Sequence, residues 1–128
     1  MPSQTPDRRQ AARLPVPWPL TGSLLDRRRG RLMDLSATGV RIEHADPVYE
    51  GLVCQVDLPP ALGRGRFKGR VIWTKLHKRV RSFEGGTQVF YQTGLAFVDI
   101  TPEQRAALAA ALRILETGEL PEERGPSG

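Results

Sequence analysis

The sequence predicts a mainly β domain: six short antiparallel strands, set as a barrel or a sandwich, closed by one C-terminal α-helix. Three observations carry that expectation. Apolar and polar residues alternate with a period of two in short runs between residues 16 and 98. Gly, Pro, Asp and Ser separate the runs, and only beyond residue 101 does the apolar spacing become helical. At 128 residues, 39% hydrophobic and 26% charged, the chain has the size and composition of one soluble globular domain.

Met1 to Pro6 holds two prolines and no apolar periodicity, and is expected to be disordered. Residues 7–15 then form a polar, Arg-rich arm. Pro15, Pro17 and Pro19 forbid a helix, but their alternation with Val16, Trp18 and Leu20 suits an edge strand over 16–24. The second strand spans 27–35, with Arg27, Arg29, Arg31, Met33 and Leu35 on one parity. A turn at Asp34–Val40 leads into a third strand in which Val40 and Ile42 alternate with Arg41 and Glu43. Residues 44–50 read as a loop, and 51–58 as a strand with Leu52, Cys54, Val56 and Leu58 facing one way until Pro59-Pro60 ends it. Phe67, Gly69, Val71 and Trp73 form the core face of a strand at 66–74. A basic loop containing Gly85-Gly86 is expected next, followed by a last strand at 88–98.

One helix follows, at 102–117. Thr101 and Gln104 have capping-box spacing, Pro102 suits the first helical turn, and Gly118 suits the stop. Leu108, Ala111, Leu112 and Leu115 share a face, expected to lie across the barrel. The division is therefore a disordered 1–6, a domain at 7–117 (arm 7–15, strands 16–99, helix 102–117) and a flexible tail at 118–128.

The net charge is +5, unevenly spread. Residues 1–31 hold seven Arg against two acids, and residues 64–81 hold eight Lys or Arg and no acid. Such a surface asks for an anionic partner, although the Lys75–Arg81 run reads as a solvated face. The Arg27–Arg31 cluster either widens the anionic surface or is a solvated edge. No apolar run approaches membrane-spanning length and nothing resembles a signal peptide, so a cytoplasmic protein without membrane insertion is expected.

The residues argue against an enzyme. His44 and His77 stand alone in stretches read as polar loops, without metal-ligand spacing, and neither a metal site nor a cofactor is expected. Cys54, the single cysteine, falls on the apolar parity of a strand and reads as a buried small hydrophobe. Ser36 has no nucleophile-elbow pattern around it, and Gly63-Arg64-Gly65 lacks the helix a phosphate loop needs.

Two segments are chemically complementary. Arg8, Arg9 and Arg13 supply guanidinium groups, which bond phosphate bidentately, bond the O6/N7 edge of guanine and stack on bases. Asp34 can accept from the other guanine edge and Ser36 can bond phosphate or base. Gly39 admits a positive φ and leaves room beside the turn. The ligand class this points to is a guanine ring with phosphates attached.

The Arg-x-x-x-Arg motif at Arg9–Arg13, followed by Asp-x-Ser-x-x-Gly at Asp34–Gly39, resembles the PilZ domain family. The Gly69–Trp73 strand, the Gly94–Phe97 strand and the closing helix extend the resemblance over roughly residues 7–117, nearly the whole chain. It implies a six-stranded antiparallel β-barrel and a receptor for the bacterial second messenger cyclic di-GMP. Arg8, Arg9, Arg13, Asp34, Ser36 and Gly39 are then the ligand-binding residues. Arg8, directly before the first motif, implies a stacked ligand dimer. The expected mechanism is a mobile Arg arm that the ligand draws onto the barrel rim, presenting a new surface to a downstream protein. Two rivals are a family adaptor that ignores the nucleotide and a small basic barrel that binds nucleic acid. Against the second, only eight aromatic residues occur, and Phe67 and Trp73 read as core.

Overall fold

Alternation in sequence becomes register in a closed sheet. The structure, a computed structural model, describes residues 13–17, 19–81 and 84–118. It contains seven strands: β1 (Leu14–Pro15), β2 (Thr21–Leu25), β3 (Arg28–Leu35), β4 (Gly39–His44), β5 (Val53–Asp57), β6 (Arg66–Arg81) and β7 (Thr87–Val98). The helix α1 (Pro102–Thr117) follows. All pairings are antiparallel, and they close a ring β3-β2-β5-β6-β7-β4 through β3–β4, with β1 added beside β3. The core inside the ring is lined by Leu24, Leu32, Leu35, Val40, Ile42, Val56, Phe67, Val71 and Leu95.

Three departures from the sequence reading have local causes. The expected strand at 16–24 is shortened to β2, which starts at Thr21 because prolines at 17 and 19 cannot donate to a ladder, and a separate short strand, β1, forms at Leu14–Pro15 in the stretch expected to be arm. Both strands lie on one edge of β3, joined by bonds from Val16 N–H to Met33 O and from Leu32 N–H to Leu20 O. The expected basic loop after residue 74 is instead strand as far as Arg81, so β6 and β7 form a long hairpin arm. The loop expected at 44–50 loses its first residue to β4.

Bulges account for the rest. Register shifts between Val71 and Trp73, so Trp73 pairs with Gly94 and leaves the inward parity of Phe67, Gly69 and Val71. A shift between Leu32 and Asp34 lets Leu32 and Leu35 both reach the core while Asp34 faces out.

The helix has the predicted bounds. Thr101 Oγ1 accepts from Gln104 N–H at 3.0 Å, and Gln104 Oε1 accepts from Thr101 N–H at 2.9 Å. Gln104 Nε2 also donates to Arg66 O at 2.8 Å, fixing the helix start beside the start of β6. Leu108, Ala111 and Leu115 bury into the core, Leu112 packs partly against it, and Gly118 ends the helix at φ 76°. Cys54 is 4% exposed, and burial pushes its thiol up to about 11. Among the described residues no helix is long and apolar enough to cross a membrane.

His44, expected in a polar loop, is buried in β4. Its Nδ1–H donates to Asp46 O at 2.6 Å, and its Nε2 accepts from Thr93 Oγ1, which in turn lies 2.9 Å from Thr74 Oγ1. Burial lowers its pKa below 6.5, aided by the charge of Arg28; the Asp46 carbonyl and the nearby acids act the other way without prevailing. A base with a depressed folded pKa costs nothing while both states are neutral. As pH falls through 6.5, the unfolded chain takes up a proton that the folded chain refuses, and stability drops. The urea midpoint is therefore expected to fall between about pH 7.5 and about pH 5.5, and His44→Gln to flatten that decline.

Candidate functional site

The turn joining β3 to β4 is built by Ser36. Its Oγ accepts from the backbone N–H groups of Thr38, at 3.2 Å, and Gly39, at 3.0 Å, and lies 3.3 Å from Gly39 O. Ser36 N–H donates to Gly39 O at 2.9 Å, closing the turn, and Phe97 N–H donates to Thr38 O, binding the turn to β7. Ser36 is 2% exposed, so in this state its hydroxyl is committed to the turn. Gly39 is required for a different reason from the one the sequence suggested. Its φ is not positive; instead a Cβ there would collide with the carbonyl oxygen of Leu95.

Asp34 lies on the outer face one turn-length away. β1 pairs Pro15 with Asp34, which brings Arg13 alongside, and β4 pairs Arg41 with Asp34 from the other side. Arg13 Nη1 donates to Asp34 Oδ1 at 3.0 Å and Arg41 Nη2 meets Asp34 Oδ2 at 2.8 Å. The carboxylate is covered, 7% exposed, while Arg13 and Arg41 remain 49% and 36% exposed. An acid spanned by two half-exposed guanidiniums presents donors outward and can exchange partners with an incoming anion and its hydrogen-bonding edge.

The row continues across the sheet. Arg41 pairs with Gly94, and Gly94 with Trp73, whose indole lies where a side chain at 94 would be. Asp34, Arg41, Gly94 and Trp73 thus occupy one register row on four neighbouring strands, each roughly 4.8 Å from the next. The sequence reading missed Arg41 and assigned Trp73 to the core. Arg41 carries no motif, and only the β3–β4 register reveals it.

Of the six expected site residues, Arg13, Asp34, Ser36 and Gly39 converge on this turn, the first two through a direct ion pair. Arg8 and Arg9 lie outside the described residues. The Arg27–Arg31 cluster sits at the other end of β3. Arg31 pairs with Glu43 at 3.3 Å, and His77 and Lys78 approach the same buried carboxylate at 3.4 Å and 3.6 Å. Arg27, Arg28 and Arg29 are exposed. Among the described residues no group of His, Cys, Asp and Glu is arranged to hold a metal ion.

A family model described as the PilZ domain matches residues 7–113. No curated protein matches the chain. Among solved structures, the PilZ domain with c-di-GMP of YcgR from Escherichia coli superposes with a TM-score of 0.62 at 23% sequence identity, covering 94% of this chain and 97% of that one. At that identity the likeness is one of fold, over nearly the whole of both chains.

The Gly39 geometry gives a test that involves no ligand. Gly39→Ala forces the β4 and β7 backbones apart, and is expected to destabilise the free protein by about 1–3 kcal/mol, read as a lower urea midpoint at unchanged m.

Proposed function

The chain belongs to the PilZ domain family, and we propose that it is a receptor for cyclic di-GMP, bound where Arg13, Asp34 and Arg41 meet. The observation that carries this reading is the Arg13–Asp34–Arg41 ion bridge, which joins the two family motifs in space. The ligand carries two phosphate charges and two guanines. Its phosphates suit Arg13 and Arg41, together with Arg8 and Arg9 on the preceding segment. The N–H edge of a guanine suits the Asp34 carboxylate. Ser36 and Gly39 hold the turn that presents Asp34. The exposed part of Trp73, at the far end of the same register row and beside Lys75, offers a flat surface on which a guanine can stack.

Ligand entry requires an exchange. Arg13 is half exposed, so surrendering its bond to Asp34 costs on the order of 1 kcal/mol, and the guanine donors replace it at the carboxylate. In this reading Arg13 turns from Asp34 to phosphate, and the segment ahead of β1 follows it onto the sheet. Ordering that segment opposes binding by about 1–2 kcal/mol per residue, so several charged contacts have to form together. The rearranged surface is what a downstream protein would read, and Arg8 supports two stacked ligand molecules per site. The role is recognition and signalling, not catalysis, in a cytoplasmic protein.

Because Asp34 is already doubly paired without ligand, a second reading is an adaptor that ignores the nucleotide. Titration calorimetry with cyclic di-GMP separates the two. The receptor predicts measurable heat with a stoichiometry near two, and at least a tenfold loss of affinity in Arg13→Ala, Asp34→Ala and Arg41→Ala, as expected for deleting a charged hydrogen bond. A flat trace at high micromolar ligand leaves the adaptor. In a variant with Trp18→Phe, binding also quenches the fluorescence of Trp73.

A further inference from the structure

The β6–β7 arm has a property that the nucleotide site does not use. β5 covers the edge of β6 only as far as Arg70, and the chain at Gly51 and Leu52 covers Val71. From Ile72 to Arg81 no strand among the described residues lies on that edge, which leaves about 33 Å of backbone on one side unpaired. A long open edge offers a row of N–H and C=O groups to any extended chain that can approach.

The side chains define which chain that is. Ile72, Leu76 and Val80 are 54%, 45% and 44% exposed, although each is apolar. Lys75, Lys78 and Arg79 stand between them and Arg81 follows, with no acid from Arg64 to Arg81. Arg79 and Arg81 have no ion pair among the described residues, and Lys78 shares a single buried partner, Glu43, with Arg31 and His77. A second copy of this chain pairing edge to edge would set these cations against one another, which destabilises a sheet. Nucleic acid needs a row of open aromatic faces, yet on the arm Phe90 lies under Lys78 and Tyr91 stacks near His44, which leaves one partly exposed ring, Trp73 at the base, itself beside Lys75. We propose that the β6 edge from Ile72 to Arg81 is a docking site for an extended protein segment alternating acidic and apolar residues, which adds to the sheet as a further strand. Backbone pairing supplies the affinity and the cations supply the selection. The site lies at the end of the ring opposite α1 and stands whether or not cyclic di-GMP binds near Asp34.

The test uses the full chain, labelled with nitrogen-15, and a blocked octapeptide of alternating Glu and Val. Expected are shifts confined to the amides of residues 72–81, slowed exchange at alternate positions there, and a Kd below ~1 mM. The same peptide N-methylated at every residue, which cannot donate along either edge of its backbone, should bind at least about tenfold more weakly. The double variant Arg79→Glu, Arg81→Glu, checked by circular dichroism for an unchanged fold, should show a similar loss. Absence of binding at ~1 mM peptide overturns the proposal, as does equal binding by the N-methylated peptide or a shift pattern centred on Asp34. A twelve-residue oligo-dT that perturbs the arm more tightly than the peptide at roughly 150 mM salt reassigns the surface to nucleic acid. Arm-mediated self-association in sedimentation reassigns it to a second copy.

Discussion

Closure of the ring depends on one hydroxyl. At the β3–β4 turn the chain must reverse within a few residues while β4 runs against both β3 and β7. Two backbone N–H groups, of Thr38 and Gly39, are left without strand partners there, and Ser36 Oγ satisfies both. With the turn fixed, Gly39 can run directly against the Leu95 carbonyl, and Val40 and Ile42 fall into the core opposite Leu35 and Leu32. The outer face inherits its order from the same register. Asp34 meets Arg41 because Leu35 meets Val40.

That face divides by charge into two ion networks. One centres on Asp34, between Arg13 and Arg41, and the other on Glu43, among Arg31, His77 and Lys78. Each has a nearly buried acid and cations with substantial exposure, so each holds its strands together while keeping positive charge outward. The first joins a segment ahead of the barrel to the ring. The second ties the base of the hairpin arm to β3 and β4. The two networks share no residue, so the Asp34 bridge to Arg13 is separate from the contacts that anchor the arm through Glu43.

Much of the fold was legible in the sequence because its signals are local. Alternation placed β4 and β7 within a residue or so, and the Thr101–Gln104 box with Gly118 fixed both ends of α1. The two motifs picked out Asp34 and Arg13, which the structure joins. Where local signals failed, a bulge or an arm intervened. Trp73 looked like core because its parity matched Val71, and one extra residue at Ile72 reversed it. Residues 75–81 looked like loop because their charges hid the strand, which persists by pairing with β7 and needs no inward apolar face. His44 looked solvated beside Asp46 and Pro47, yet β4 carries it into the interior, where its ring bonds Thr93 and the Asp46 carbonyl and burial lowers its pKa.

The sequence by itself determined a mainly β domain with a capped terminal helix, a basic surface, and two motifs suited to a guanine nucleotide. These follow from residue type and spacing along the chain. Only the tertiary structure decided that Arg41 shares Asp34 with Arg13, that Trp73 lies outside in their row, and that Gly39 serves the close approach to β7 instead of a positive φ. It also decided that β6 from Ile72 to Arg81 has an edge that no strand among the described residues covers. The reason is physical: these properties depend on register and bulges between strands far apart in sequence, and a shift of one residue moves every side chain to the opposite face.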